Sequence, residues 1–199
     1  MRLLIATTNP GKVREYQHLL NGLDCDLVSL ADVGITQDVA ETGSTYEENA
    51  LLKAREYAAM SGLLTLADDS GLEVDALKGR PGVHSARYAP DSPARIRKLL
   101  GEMQNIPVDQ RSARFQCVIT LAWPDGRTEI TSGTCEGWIT DEARGTNGFG
   151  FDPVFHVPER GVTMAELPED VKNQISHRAR AAQKMRPILE RILSKAESS

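Results

Sequence analysis

Cysteine, long apolar runs and surplus positive charge are all scarce in this sequence. The cysteines number three, Cys25, Cys117 and Cys135, and they lie far apart. That odd, scattered set gives no disulfide framework and no metal-ligand spacing. It fits reduced, buried thiols in a cytoplasmic protein. No apolar run approaches the roughly 20 residues of a membrane span. The opening "MRLLIATTNPGK" has an apolar stretch too short for a signal peptide, and it runs straight into a turn. Lys and Arg total 23 against 28 Asp and Glu, for a formal net charge of -5. A protein that grips a duplex by its phosphates is basic overall or carries a basic stripe. This chain has neither, so nucleic acid and membrane are set aside as partners. A small phosphorylated substrate is not, because a metal ion can bridge acid to phosphate.

What is present suits one generous domain, with or without a small lobe. Of the 199 residues, 40% are hydrophobic and 26% charged, so a packed core is expected. "RLLIATT" reads as a buried strand, "NPGK" as a turn, and "KVREYQHLL" as a helix with Val13, Tyr16 and Leu20 on one face. A second strand is expected near Asp26–Leu30. "STYEENALLKAREYAAMSG" is the clearest helix. Ser44 with Glu47, or Thr45 with Glu48, makes a capping box, and Gly62 fits the stop. "LLTLA" is then a strand. "DSPARIRKLLGEM" predicts a helix with Ser92 as N-cap and Pro93 at the first position. "ARFQCVITLAW", the turn "PDGR" and "TEITSGTCEGWI" predict an antiparallel hairpin. Residues 176–194 predict a last helix, kinked or split at Pro187. Alternating helices and strands followed by a hairpin point to an α/β protein with a mixed sheet.

Five stretches carry chemistry-bearing residues. "ATTNPGKVRE" joins a strand, a glycine turn and a helix N-terminus, a ready anion site in which Asn9 can reach a phosphate or base and Lys12 adds charge. It is not a P-loop, which needs glycine where Ala6 stands and Ser or Thr where Val13 stands. Taken alone, a plain strand–turn–helix is the better explanation. "AETGSTYEENALLKA" places Asn49 and Lys53 on one helix face, with Glu41 just ahead; a solvated face is the plainer alternative.

"LADDSG" sets Asp68 and Asp69 at a strand end. Such a pair can hold a hard cation, or one of them can act as a general base. In a continuing strand the two would face opposite sides. Ser70-Gly71 predicts that the strand stops there, so that both converge on one pocket. "GTNGFGFDPVF" interleaves Gly145, Gly148 and Gly150 with Phe149 and Phe151, which lets a flat ring such as a purine approach the backbone. A hairpin loop with core phenylalanines is the alternative. "KNQISHRARAA" places Lys172, His177 and Arg178 around a helix start. Arg can donate to a carbonyl or a phosphate in fixed geometry, or simply decorate the helix.

Taken together and in order, "TTNPGK", "ETGSTYEENALLKA", "ADDSGLEVDAL", "GRPGVHSARYA", "GTNGFGFDPVF" and "KNQISHRARA" resemble the noncanonical purine nucleoside triphosphate pyrophosphatases, the inosine/xanthosine triphosphate pyrophosphatases. The resemblance runs from Leu4 to about Leu193. It implies one α/β domain over residues 1–199, an elongated mixed β-sheet flanked by helices, with the active site in a cleft between two lobes. It implies a cytoplasmic homodimer that uses Mg2+ to hydrolyse ITP, dITP or XTP to the monophosphate and pyrophosphate.

By the same resemblance, Thr7, Thr8, Asn9, Pro10, Gly11 and Lys12 form the triphosphate turn. Lys53 and Lys172 add charge against the phosphates, and Ser70 a hydroxyl. Asp69 is the catalytic base and a metal acid, with Glu41 and Asp68 completing the metal environment. Phe149 stacks on the purine, Gly150, Phe151 and Asp152 shape that wall, and His177 and Arg178 read the 6-keto edge. Thr8, Phe151 and Ala179 depart from residues common in that family, and none of these changes removes a charged or metal-binding group. Two other readings of the acid pair remain: an aspartate that accepts a phosphoryl group, and a nucleotide sensor that binds without turnover.

Overall fold

The computed structural model describes residues 1–196. Seven strands form one sheet in the order β2-β1-β3-β4-β5-β6-β7. The strands are β1 (Arg2–Ile5), β2 (Asp26–Ser29), β3 (Leu64–Val74), β4 (Ser112–Ala122), β5 (Thr128–Ile139), β6 (Phe155–Val157) and β7 (Val162–Thr163). Pairing is parallel from β1 to β2 and to β3, and antiparallel from β5 to β6 and from β6 to β7. The sheet is therefore mixed, and with its helices the fold is α/β. The helices are α1 (Pro10–Leu19), α2 (Tyr46–Ser61), α3 (Ser92–Met103), α4 (Glu169–Ile175) and α5 (His177–Ala196).

The chain divides into two compact units. The first comprises Met1–Asp69, Cys117–Gly133 and the C-terminal segment from Arg178; the second comprises Ser70–Gln116 and Thr134–His177. In the first unit, alternation along β1 sends side chains into two cores. Leu3 and Ile5 pack with Tyr16, Leu66, Ile119 and Met185, whereas Leu4 and Ala6 pack with Leu30, Ala54 and Tyr57. α1 and α5 belong to one core and α2 to the other. The second unit has its own core, in which Leu72, Leu99, Met103, Phe115, Ile139 and Phe155 meet.

The helix ends follow local chemistry. Asn9 caps α1, its Oδ1 accepting from the backbone N–H of Gly11 at 2.8 Å and of Lys12 at 3.3 Å. Thr45 and Glu48 form the expected capping box on α2, and Gly62 ends that helix at φ 66°. Three expectations need correcting. α3 is capped by Asp91, whose carboxylate accepts from Ala94 N–H, so Ser92 and Pro93 lie inside the first turn. α5 is not split at Pro187 but continues through it, and a separate short helix, α4, precedes it across Ser176. β3 does not stop at Ser70-Gly71 but continues to Val74.

Candidate active site

The uninterrupted β3 decides how the acid pair is presented. Asp68 and Asp69 alternate across the strand, and each meets its own set of partners. Both are buried, at 2% and 5% exposure. The strand stop expected to bring the two side chains together is absent, and what links the acids is the charge of Lys12 and Lys53, which bears on both.

Asp68 collects cations. Its Oδ2 lies 3.0 Å from Lys12 Nζ and 3.1 Å from Arg178 Nη2, with Arg178 Nε at 3.3 Å and Cys117 Sγ at 3.6 Å. Its Oδ1 is buried and has no hydrogen-bond donor. Burial by itself would push this carboxyl up. Lys12, Arg178 and Lys53 outweigh that and hold it well below the usual carboxylate range. Burial lowers Lys12 in turn, although Asp68 opposes the shift.

Asp69 has weaker company. Asn49 Nδ2 donates to its Oδ2 at 3.0 Å, and Lys53 Nζ lies 3.6 Å from its Oδ1. Lys53 is held more closely by Glu41, at 2.5 Å. Here burial prevails, and Asp69 is raised above the ordinary aspartate value despite Lys53 and Lys12. Neighbours in sequence, the two acids thus differ in basicity: Asp68 stays anionic, and Asp69 is the better proton acceptor.

The turn at α1 is more self-satisfied than a bare helix N-terminus. Its Gly11 and Lys12 N–H groups are taken by Asn9, Asn9 N–H donates to Thr7 Oγ1, and Pro10 has no N–H. Anion affinity at this turn therefore falls mainly on Lys12 and on the Thr7 and Thr8 hydroxyls.

The second unit holds the remaining assigned residues. Asp152 is buried, and its Oδ2 accepts from Phe149 N–H at 2.8 Å and Lys172 Nζ at 2.6 Å. The same ammonium lies 4.7 Å from the Phe149 ring centroid. Gly148, at φ 74°, brings its backbone so close that a Cβ there would sit 2.0 Å from Asp152 Oδ2. Phe149 is half-buried, whereas Phe151 is in the core and meets Tyr88 edge to face. His177 is buried and stacks on Phe115, with ring centroids 4.7 Å apart. Ser70 is half-buried on β3.

Sequence reasoning had placed Arg178 on a base edge. The structure finds it in the first unit, 1% exposed, with its guanidinium between Asp68 and Glu15. It had placed Lys172 against phosphates; the structure finds it on Asp152 beside Phe149. Glu15 went unnoticed. The available signal was its place one turn after Lys12 and beside Tyr16, which puts a charge at the margin of the apolar face of α1.

Among the described residues, no three acid, histidine or cysteine side chains form a ready cation cage. Asp68 nevertheless offers a buried, unpartnered carboxylate oxygen. Magnesium needs only one or two carboxylates, with waters and substrate phosphate completing its shell. The donor set fits that mode of binding.

Known proteins share this sequence and this fold over most of the chain. The chain is 48% identical over 190 residues to the dITP/XTP pyrophosphatase of Bacillus subtilis, covering 94% of this chain and 96% of the relative. It is 51% identical to the dITP/XTP pyrophosphatase of Geobacillus kaustophilus, covering 96% and 95%. The Ham1 protein structure from Coxiella burnetii superposes with a TM-score of 0.87 at 41% identity, covering 96% of this chain and 99% of that one. The structure of the Staphylococcus aureus Ham1 protein gives 0.85 at 42%, covering 96% and 100%. The family model matches residues 3–188, and the chain belongs to the Ham1 family.

Proposed function

We propose that this chain hydrolyses the noncanonical purine nucleoside triphosphates ITP, dITP and XTP to the monophosphate and pyrophosphate, removing them from the nucleotide pool. One observation carries the reading: two half-buried lysines, Lys12 and Lys53, lie against two buried acids of unlike basicity at one place on β3. A site for binding alone gains nothing from buried carboxylates facing a polyanion. A site that must deprotonate water does. The relatives named dITP/XTP pyrophosphatases supply the substrate class.

In this reading Lys12, Lys53 and the Thr7–Gly11 turn hold the triphosphate. Asp69 takes a proton from water as the water oxygen bonds to the α-phosphorus, and the bond from that phosphorus to the bridging oxygen breaks to release pyrophosphate. Mg2+ held by Asp68 and Asp69, with Glu41 alongside, would offset phosphate charge. In the second unit we assign Phe149 to stacking on the base, Lys172 and Asp152 to fixing that ring's loop, and His177 to the base edge. Gly150 and Phe151 shape the loop, and Ser70 contributes its hydroxyl. Arg178 we assign to Asp68 before the base. The working form is taken to be a single-domain, cytoplasmic homodimer, as the resemblance implies.

The test is incubation with ITP, XTP and ATP in Mg2+, with and without excess chelator, followed by product identification. Monophosphate plus pyrophosphate from ITP and XTP, lost in chelator, is expected. Diphosphate plus inorganic phosphate would overturn the reaction type, and a trapped aspartyl-phosphate would favour a phosphoryl acceptor. Stoichiometric binding without turnover would favour a sensor.

A further inference from the structure

Asp68 faces more positive charge than one carboxylate balances. Lys12 and Arg178 both lie on its Oδ2, so the three groups together carry a net positive charge. Such a cluster repels a divalent cation. Glu15 changes the sum. Its side chain is 6% exposed and takes Arg178 Nη1 at 2.5 Å. Buried Glu15, Arg178 and Asp68 and half-buried Lys12 then form a set with two charges of each sign.

Stability alone does not account for this set. A buried ion pair often contributes no more than well-packed apolar groups of the same volume, and Glu15 adjoins the apolar face formed around Tyr16, Leu20 and Met185. What the arrangement does achieve is orientation. Arg178 is gripped on one side by Glu15, and its Nε and Nη2 fix Asp68 by Oδ2. That leaves Oδ1 buried and unpartnered.

We propose that Glu15 is a positioning residue for the cation site: it shares the Arg178 charge, so that Asp68 keeps enough negative charge to bind a divalent ion through Oδ1. This rests on the proposed metal-dependent hydrolysis and names the residue that makes Asp68 available. Partners that orient metal ligands typically change metal affinity by 10–100-fold when removed.

The experiment measures Mn2+ binding without nucleotide, from the electron paramagnetic resonance of free Mn2+, with unfolding midpoints taken alongside. Glu15→Gln keeps the shape and removes the charge, and it should weaken Mn2+ binding about 10–100-fold. The double variant Glu15→Gln/Arg178→Met removes one charge of each sign and should recover much of that loss. Wild-type affinity in Glu15→Gln overturns the proposal. Equal weakening in both variants overturns it too, because Glu15 would then act by packing. If the single variant fails to fold, the double variant decides: weak binding there counts against the charge account. Absence of Mn2+ binding in wild type would also sink it, whereas the product assay on ITP judges the hydrolysis itself.

Discussion

Asp68 and Asp69 differ by one position and by almost everything that surrounds them. The pair was legible in the sequence as acids that interrupt an apolar run, because such a run rarely meets two carboxylates without cause, but its place in mid-strand rather than at a strand end was not. Which acid does what was not legible, since Arg178 reaches Asp68 across 110 positions of sequence. The same distance effect hid the company of Arg178: residue type marks it as a donor, and only the fold selects the acceptor. With Asp69 the less firmly paired and the more basic, Asp69→Asn should lower turnover of ITP about 10²–10⁴-fold while nucleotide binding persists. Steady-state kcat with equilibrium binding of ITP checks both halves, and near-normal turnover would move the base to another residue. Gly148 makes a second residue-scale case. At φ 74° and with Asp152 Oδ2 2.0 Å from a built Cβ, Gly148→Ala must displace the Lys172–Asp152 pair. Raised KM for ITP with little change in kcat is expected, and an unchanged KM would remove that pair from substrate binding.

Elements were legible where the signal was local. The capping box on α2, its glycine stop and the β4–β5 hairpin turn each need only a few consecutive residues. The end of β3 was misread because Ser70-Gly71 is a turn signal by composition, yet the strand continues and Leu72 and Val74 are fully buried in the core of the second unit. Tertiary packing overrode the local preference. The end of α3 has a similar long-range component. Arg111 is 8% exposed and donates to the carbonyls of Met103, Ile106 and Thr140 at 3.0, 2.9 and 3.0 Å. The cation thus closes the carbonyl end of α3, where the helix dipole favours positive charge. Arg111→Met should strand buried carbonyls at a cost on the order of 2–3 kcal/mol. Thr45→Ala, which removes only a side-chain cap, should cost about 1 kcal/mol. Urea midpoints of the two variants give the comparison, and an Arg111→Met loss no larger than that of Thr45→Ala would show that the guanidinium is replaceable by apolar packing.

At the scale of the molecule, the mixed α/β character was readable from the change of period along the chain. The strand order was not. Placing β1 between β2 and β3 depends on parallel pairings between distant segments, and β6 and β7 are too short, at three and two residues, to announce themselves. The first unit ties its distant segments together by charge as well as by apolar packing, and this gives it a particular acid response. Asp68 has a folded pKa below its ordinary value of about 3.9. Its contribution to stability is therefore complete above the unfolded value and disappears as pH falls through the depressed folded one. Asp69 runs the other way: raised in the fold, it favours the folded state below its unfolded value, and that contribution fades as pH climbs through the folded value. Below pH 4 the loss of the Asp68 charge should dominate in chelator, because Lys12 and Arg178 lose their shared counter-charge as it protonates. Urea midpoints measured from pH 6 downward should therefore fall more steeply for wild type than for Asp68→Asn, which has no such proton to take up. Parallel curves for the two proteins would mean that the acid limb is set by other carboxylates, and that the buried charge set contributes little to how this fold withstands acid.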